Sequence, residues 1–204
     1  MWERIERDTG QDQLPPPFWA FPWAGGQALA RYLLDQPDCV RGRVVLDLAS
    51  GSGLVAIAAA AAGAASVTPS DTDPLAVAAI ALNAGVNRVR LQPTVGDLLS
   101  APEPGPEESR PEEPGPGEPG HKAGAPVRAD VVLAGDAFYD RHMAGLMLPF
   151  LERASQAGAL VLVGDPGRAY LPRERFAQVT TYDVPVERVI EDADVKPSTV
   201  WRLR

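Results

Sequence analysis

The chain has 204 residues, of which 45% are hydrophobic, and this is enough to bury the core of one large domain. Its formal net charge is −8, and no block of lysine and arginine could neutralise a row of phosphates, which argues against nucleic-acid binding as the main function. A single cysteine, Cys39, excludes a disulfide framework and a cysteine-based zinc site, and no apolar run of about 18 residues indicates a membrane span.

The first half of the chain alternates between helical and β-rich segments. Residues 1–13 are too charged for a signal peptide, so we expect a soluble cytoplasmic protein without a membrane partner. Leucines at helical spacing then predict a first helix, and the apolar run GRVVLDL after it is typical of a buried strand. In chain order, the predicted elements are a helix at 23–35, a strand at 42–48, a helix ending at 62, a strand at 66–70, a helix at 74–84 and a strand at 90–95.

Residues 101–126 differ in composition from the rest of the chain. They contain eight prolines and five glycines, so half of them cannot sustain helix or ladder hydrogen bonds. Six glutamates against an arginine and a lysine give this segment −4 of the net charge of −8. We predict a disordered insertion in a single domain that spans residues 1–204; the alternative is a flexible segment that docks a partner.

The second half continues the alternation and then changes. The predicted elements are a strand at 129–134, a helix at 141–157, a strand at 159–164, and two strands at 176–184 and 199–203 with little helix between them. The last two indicate an antiparallel pair at one edge of the sheet. The rest predicts an α/β fold with a mostly parallel sheet and helices on both faces, which binds ligands at the carboxyl ends of its strands.

A glycine-containing loop follows the first predicted strand. In the sequence DLASGSG at 47–53, Gly51 and Gly53 allow a sharp turn and a close ligand approach, and the helix after them offers free N–H groups. About 20 residues further on, Asp71 follows the second strand, where a carboxylate can accept both hydroxyls of a ribose. This pattern predicts a nucleotide-type cofactor.

Two cofactors fit this loop. Gly-x-Gly-x-x-Ala at 51–56 satisfies a weak form of the dinucleotide fingerprint, which would indicate NAD. Asp47 favours S-adenosylmethionine instead, because a carboxylate at the strand end can meet the positively charged amino-acid half of that cofactor. A complete helix before the loop and the C-terminal strand pair favour the same choice. Asp97, after the third strand, supplies a carboxylate near the expected adenine position, although it is equally typical of a helix cap or turn.

Eight ordered blocks of the chain resemble one known family, the electron transfer flavoprotein β-subunit lysine methyltransferases. The blocks comprise residues 17–20, Trp23 with 25–29 and 31–34, 47–53, 70–74, Asn83 and Asn87, GDAFYD at 135–140, GDPGR at 164–168 and 198–201. The resemblance implies a Rossmann-like, seven-stranded class I methyltransferase sheet and S-adenosyl-L-methionine as cofactor. It also implies a protein substrate, the β-subunit of electron transfer flavoprotein, methylated on lysine.

The family pattern also implies roles for individual residues. Trp23 packs on the cofactor, with Gly25 and Gly26 leaving room beside it. Asp136 and Tyr139 match a substrate-facing Asp/Glu-x-x-Tyr/Phe motif. Asp136 would accept hydrogen bonds from the incoming ammonium, and Tyr139 would shape a partly desolvated channel that favours the neutral amine. The cofactor-binding set is completed by residues at or just after the ends of the first three strands: Asp47, Ala49, Gly51, Gly53, Asp71 and Asp97.

One residue of the glycine-containing loop departs from the family pattern. The sequence also leaves the identity of the methyl acceptor open. The family usually has glycine where this chain has Ala49, and alanine is harmless there only if its φ is negative. Neither His121 nor His142 has the neighbours of a metal ligand, so we expect no metal. The alternatives are a methyltransferase acting on a ribosomal protein or a small amine, and a non-catalytic cofactor-binding module.

Overall fold

A seven-stranded sheet forms the centre of the protein in a computed structural model that describes residues 17–100 and 129–204. The strands are β1 (Val44–Leu48), β2 (Ser66–Asp71), β3 (Thr94–Val95), β4 (Val131–Gly135), β5 (Leu160–Asp165), β6 (Phe176–Pro185) and β7 (Val195–Leu203). Their order across the sheet is β3-β2-β1-β4-β5-β7-β6. Strands β1 to β5 pair in parallel, whereas β7 is antiparallel to both β5 and β6. The predicted mixed sheet with an antiparallel C-terminal pair is therefore confirmed.

The described residues form five α-helices, one before β1 and four between strands. They are α1 (Ala24–Asp35), α2 (Leu54–Ala61), α3 (Pro74–Asn87), α4 (Arg141–Gln156) and α5 (Arg188–Glu191). Side-chain caps fix two of the starts: Asp73 accepts a hydrogen bond from the Leu75 N–H at 2.8 Å, and Asp140 accepts one from the Met143 N–H at 2.8 Å. Within the described ranges, no helix is both long enough and apolar enough to cross a membrane.

The core consists of two apolar layers, one on each face of the sheet. Alternate residues of a strand point to opposite faces, so that Val131 contributes to one layer and its neighbour Val132 to the other. Helices α1 and α2 cover the first layer, and α4 covers the second with Met147 and Leu151, which are fully buried. Helices therefore lie on both faces, as predicted.

The extent of two strands differs from the sequence prediction. The third strand was expected at 90–95, but only Thr94–Val95 pairs with β2. The Gln92 N–H donates to the Val67 carbonyl and the Gly96 N–H to the Asp71 carbonyl, each at 3.0 Å, so single hydrogen bonds extend this short pairing on both sides. Pro93, which has no N–H, is compatible with the edge position of β3. The last strand begins at Val195, four residues earlier than expected, because β6 continues to pair with it as far as Pro185. The insertion predicted at 101–126 lies outside the described residues and stays a prediction.

Candidate active site

The carboxyl ends of five parallel strands meet at one edge of the sheet and border a cavity of about 580 Å³. The strand register brings these ends together, since Leu48 lies opposite both Ser70 and Ala134, and Gly135 lies opposite Gly164. The loops after β1 to β5 line the inner side of the cavity. The outer side carries aromatic residues from the segment before α1: Phe18, Trp19 and Trp23. A cavity of this size suits a small-molecule ligand.

The loop after β1 turns through three left-handed residues. Gly51 has φ 56° and Gly53 has φ 83°, a conformation that glycine adopts without strain. Ala49 has φ 49°, so the negative φ that would make alanine harmless is absent. An L-residue with a Cβ loses about 1 kcal/mol in this conformation. The loop therefore carries strain at Ala49 that a glycine would relieve.

Asp71 fixes the same loop from the end of β2. Its Oδ2 accepts a hydrogen bond from the Gly51 N–H at 2.9 Å, and its Oδ1 accepts one from the Asp73 N–H at 3.0 Å. An ionised carboxylate has about four acceptor sites, so two remain after these bonds. Because Asp71 lines the cavity, these sites are available to two hydroxyl groups of a ligand.

Asp47 lies behind the loop, at the end of β1, and does not line the main cavity. It borders a small recess beside Ser50 and Gly51. Its Oδ2 accepts hydrogen bonds from the Ser50 hydroxyl at 2.5 Å and the Ala56 N–H at 3.1 Å, whereas its buried Oδ1 has no partner among the described residues. Burial raises the pKa of Asp47 to about 7. A cationic group reaching this recess would supply the missing partner.

Asp97 lies at the opposite end of the cavity, after β3. The carboxylate is exposed and accepts hydrogen bonds at 3.0 Å from the N–H groups of Leu99 and Ser100. Hydrogen bonding from the Ser100 side chain, together with these backbone bonds, holds the pKa of Asp97 below its usual value. The residue acts as a turn cap and also lines the cavity, and its contact with an adenine stays a prediction.

An aromatic group spans the mouth of the cavity. The rings of Phe18 and Tyr139 are stacked, with centroids 6.0 Å apart and an interplanar angle of 22°. The Trp23 ring lies 6.1 Å from Phe18, and its Nε1 donates to the Phe18 carbonyl at 2.8 Å. Tyr139 is 47% exposed, and partial burial raises the pKa of its hydroxyl. A flat apolar group that packs against these rings would lose water on the face that contacts them.

Asp136, at the end of β4, is held by two protein partners. Its side chain is 2% exposed. Oδ1 accepts a hydrogen bond from Arg168 Nε at 2.6 Å, and Oδ2 accepts one from the Gly25 N–H at 2.9 Å. Its backbone is left-handed, with φ 58°. The sequence interpretation gave this carboxylate to an incoming ammonium, but in the structure an arginine already neutralises it.

The two glycines at the start of α1 bring the helix onto the sheet. A Cβ added to Gly25 would lie 2.4 Å from the Gly164 carbonyl oxygen, and one added to Gly135 would lie 2.8 Å from the Cα of Gly26. The resemblance implied that Gly25 and Gly26 leave room beside a cofactor. The space beside Gly25 is instead filled by the ends of β4 and β5, whereas a Cβ on Gly26 would approach Val55 of α2 only to 3.9 Å.

Most of the predicted site residues line one cavity. Those that line it are Trp23, Ala49, Gly51, Asp71, Asp97, Asp136 and Tyr139. Asp47 and Gly53 lie outside it. Asp47 borders the small recess, and Gly53 packs on Ile80, so that a Cβ added to Gly53 would lie 3.2 Å from the Ile80 Cγ1. The sequence interpretation gave no role to Phe18 or Arg168. The position of Arg168 just after β5 was the available signal, because the other site residues also follow parallel strands.

The sheet order and the cavity at its carboxyl edge define the class. The structure is similar to magnesium protoporphyrin IX methyltransferase from Synechocystis with bound SAM, at a TM-score of 0.54 and 14% identity, covering 100% of this chain and 91% of the other. It is also similar to a 16S rRNA methyltransferase from Thermus thermophilus in complex with AdoMet and guanosine, with a TM-score of 0.53, 22% identity and coverage of 95% and 44%. The fold is that of the class I methyltransferases.

Sequence relatives place the chain within this class. Residues 28–109 match the family described as ribosomal protein L11 methyltransferase (PrmA). The chain is 34% identical to the electron transfer flavoprotein beta subunit lysine methyltransferase of Rattus norvegicus, over 98% of this chain and 70% of the relative. The Xenopus laevis protein of the same name is 36% identical over 91% of this chain and 68% of its own length. The chain belongs to the electron transfer flavoprotein β-subunit lysine methyltransferase family and is an S-adenosylmethionine-dependent methyltransferase.

Proposed function

We propose that the protein is a protein-lysine N-methyltransferase whose substrate is the β-subunit of electron transfer flavoprotein. Family membership supports the reaction, since the relatives carry this substrate in their names. The observation that carries the proposal is a single cavity with two different sides. Its donor side consists of Ala49, Gly51, Asp71 and Asp97, and its acceptor side consists of Asp136, Tyr139 and Arg168.

The donor side fits S-adenosylmethionine. Two acceptor sites on Asp71 suit the two ribose hydroxyls, and Asp97 lies where the adenine would extend. The unpartnered Oδ1 of Asp47 suits a cation, and the cofactor carries an ammonium on its methionine end. Trp23 offers an aromatic face to a positively charged sulfur. When bound, the cofactor supplies a methyl group on a sulfonium.

The acceptor side would prepare the lysine. A free lysine side chain has a pKa of about 10.4, and only the neutral amine has the lone pair that forms the new carbon–nitrogen bond. The stacked rings of Phe18 and Tyr139 would flank the aliphatic chain and keep water from it, which favours the neutral form. The ammonium would lose its proton to water before transfer, and the resulting amine would then accept the methyl group that bound S-adenosylmethionine supplies. Positioning therefore contributes more than a general base.

Intact-mass analysis tests this proposal. Purified protein, S-adenosylmethionine and purified β-subunit are incubated together, and the β-subunit is expected to gain the mass of one or more methyl groups. Asp71→Ala is the matched control, since it removes the proposed ribose contact and should abolish the gain. An unmodified β-subunit would refute the proposed substrate. A gain of methyl mass on a ribosomal protein or a small amine would then indicate one of the alternative acceptors. Cofactor binding without transfer would indicate a non-catalytic module.

A further inference from the structure

Arg168 links two buried carboxylates behind the acceptor side of the cavity. Its Nε donates to Asp136 Oδ1 at 2.6 Å, and its Nη2 lies 3.2 Å from Glu191 Oε1. The guanidinium also lies 5.7 Å from the centre of the Trp23 ring. Its side chain is 22% exposed, whereas those of Asp136 and Glu191 are 2% and 4% exposed. The arginine is thus the most exposed of these three charged side chains, and it lines the cavity together with Asp136.

The two carboxylates depend on Arg168 to different degrees. Glu191 also forms an ion pair with Lys196, from the start of β7. For Asp136, Arg168 is the cationic partner that the described part of the chain provides, and the remaining contact is the neutral Gly25 N–H. Loss of Arg168 would leave Glu191 paired and Asp136 charged, buried and without a counter-ion. Such a group is costly to the fold and attracts any available cation.

An unpaired Asp136 would hinder methyl transfer. A carboxylate within about 4–6 Å of an amine raises its pKa by about 1–3 units, because it favours the ammonium form. The ammonium has no lone pair and cannot accept a methyl group. A carboxylate already paired with arginine exerts much less of this effect, since the two charges cancel at a distance.

We infer that Arg168 is a positioning residue: it holds Asp136 in place and cancels its charge, so that the acceptor amine sheds its proton inside the cavity. This inference rests on the proposed function. Other charged or titratable groups face the same region from each neighbouring element. They are Asp71 of β2, Asp140 and His142 at the start of α4, Asp165 of β5, Glu191 of α5 and Lys196 of β7. Of these, Asp165 also interacts electrostatically with Arg168, and its pKa is raised mainly by burial.

The pH profile of the reaction tests the inference. For Arg168→Gln, the pH of half-maximal kcat is expected to rise by about one unit or more, with a loss of about tenfold in rate near neutral pH. Adding Asp136→Asn to this variant removes both charges and is expected to restore the wild-type midpoint. Arg168→Lys keeps the charge and should keep the midpoint while lowering kcat. An Arg168→Gln enzyme with the wild-type midpoint would overturn the inference, however much activity it had lost.

A matched control separates this effect from the loss of any ion pair. Arg175 pairs with Glu152 near the end of α4, away from the cavity, and Arg175→Gln is expected to leave the midpoint unchanged. A shift as large as that of Arg168→Gln would also overturn the inference.

Thermal unfolding gives a readout that needs no acceptor, so it distinguishes failure of the inference from failure of the proposed function. Asp136→Asn is expected to lower Tm in the wild-type background, where it breaks an ion pair, and to raise Tm in the Arg168→Gln background, where it removes an unpaired charge. If Tm falls in both backgrounds, Arg168 does not compensate the charge of Asp136 and the inference is wrong. A wild-type protein that fails to methylate the β-subunit, with the reversal of sign present, would refute only the proposed substrate.

Discussion

Replacing Gly25 by alanine places a methyl group into the contact between α1 and the sheet. The new Cβ would lie 2.4 Å from the Gly164 oxygen, 2.8 Å from its carbonyl carbon and 3.0 Å from the Asp136 nitrogen. Favourable contacts between heavy atoms begin at about 3.5 Å, so the helix must move outward by about 1 Å. Overpacking of this kind costs about 1–3 kcal/mol, and displacing the Gly25 N–H from the Asp136 carboxylate costs about 1–3 kcal/mol more. Higher helix propensity offsets about 1 kcal/mol.

The net destabilisation is about 3 kcal/mol, which for a chain of this length lowers Tm by about 6–12 °C. Thermal unfolding followed by circular dichroism measures it. Gly26→Ala is the matched control, because its Cβ would approach Val55 only to 3.9 Å, and its Tm is expected to stay the same or rise. Equal losses at the two positions, or a Gly25→Ala Tm within about 1 °C of wild type, would refute the packing argument.

Three further substitutions test the loop, the buried carboxylate and the aromatic rings. Ala49→Gly relieves a left-handed alanine and is expected to raise the free energy of unfolding by about 1 kcal/mol, as measured by urea denaturation. Burial raises the pKa of Asp47 to about 7, so the cofactor-free fold favours the protonated carboxyl. The free energy of unfolding is therefore highest at low pH and falls as the pH rises from about 4 to 7. Asp47→Asn should abolish this loss of up to about 4 kcal/mol, and an unchanged pH dependence would contradict the assignment. Tyr139→Phe keeps the ring beside Phe18 and nearly full activity, whereas Tyr139→Ala should lower kcat/KM about tenfold with little change in Tm, since the side chain is half exposed.

The sequence predicted the sheet well because its central strands are buried on both faces. Such strands read as continuous apolar runs, of which Val44–Leu48 is an example, and the intervening helices have their own apolar spacing. The errors lie at the sheet edges. At β3 the strand pairing is limited to Thr94–Val95, and the first residues of β7, at 195–197, are largely exposed and are ordered by pairing with β6 instead of by burial. Local pattern does not contain either effect.

The position of the site residues at the sheet edge could be predicted from the ends of the strands, but their side-chain partners could not. A residue that follows a parallel strand lies at the ligand-binding edge, and this rule located Asp71 and Asp97 without any tertiary information, whereas Asp136 was identified through the family resemblance. It did not reveal that Asp136 is already paired, because its partners lie 32 and 111 positions away in the chain. It also did not reveal that the turn after β1 buries Asp47 beside a small recess, where the predicted contact with a cationic group stays a prediction.

The two sides of the cavity come from separate parts of the chain. The loops after β1, β2 and β3 all precede residue 101, and the match to the ribosomal protein methyltransferase family over residues 28–109 contains all three of them. The acceptor side begins at β4, beyond that match. The proposed methyl-donor loops therefore form one continuous stretch of sequence, whereas the proposed acceptor side combines the C-terminal portion with Phe18 from before α1.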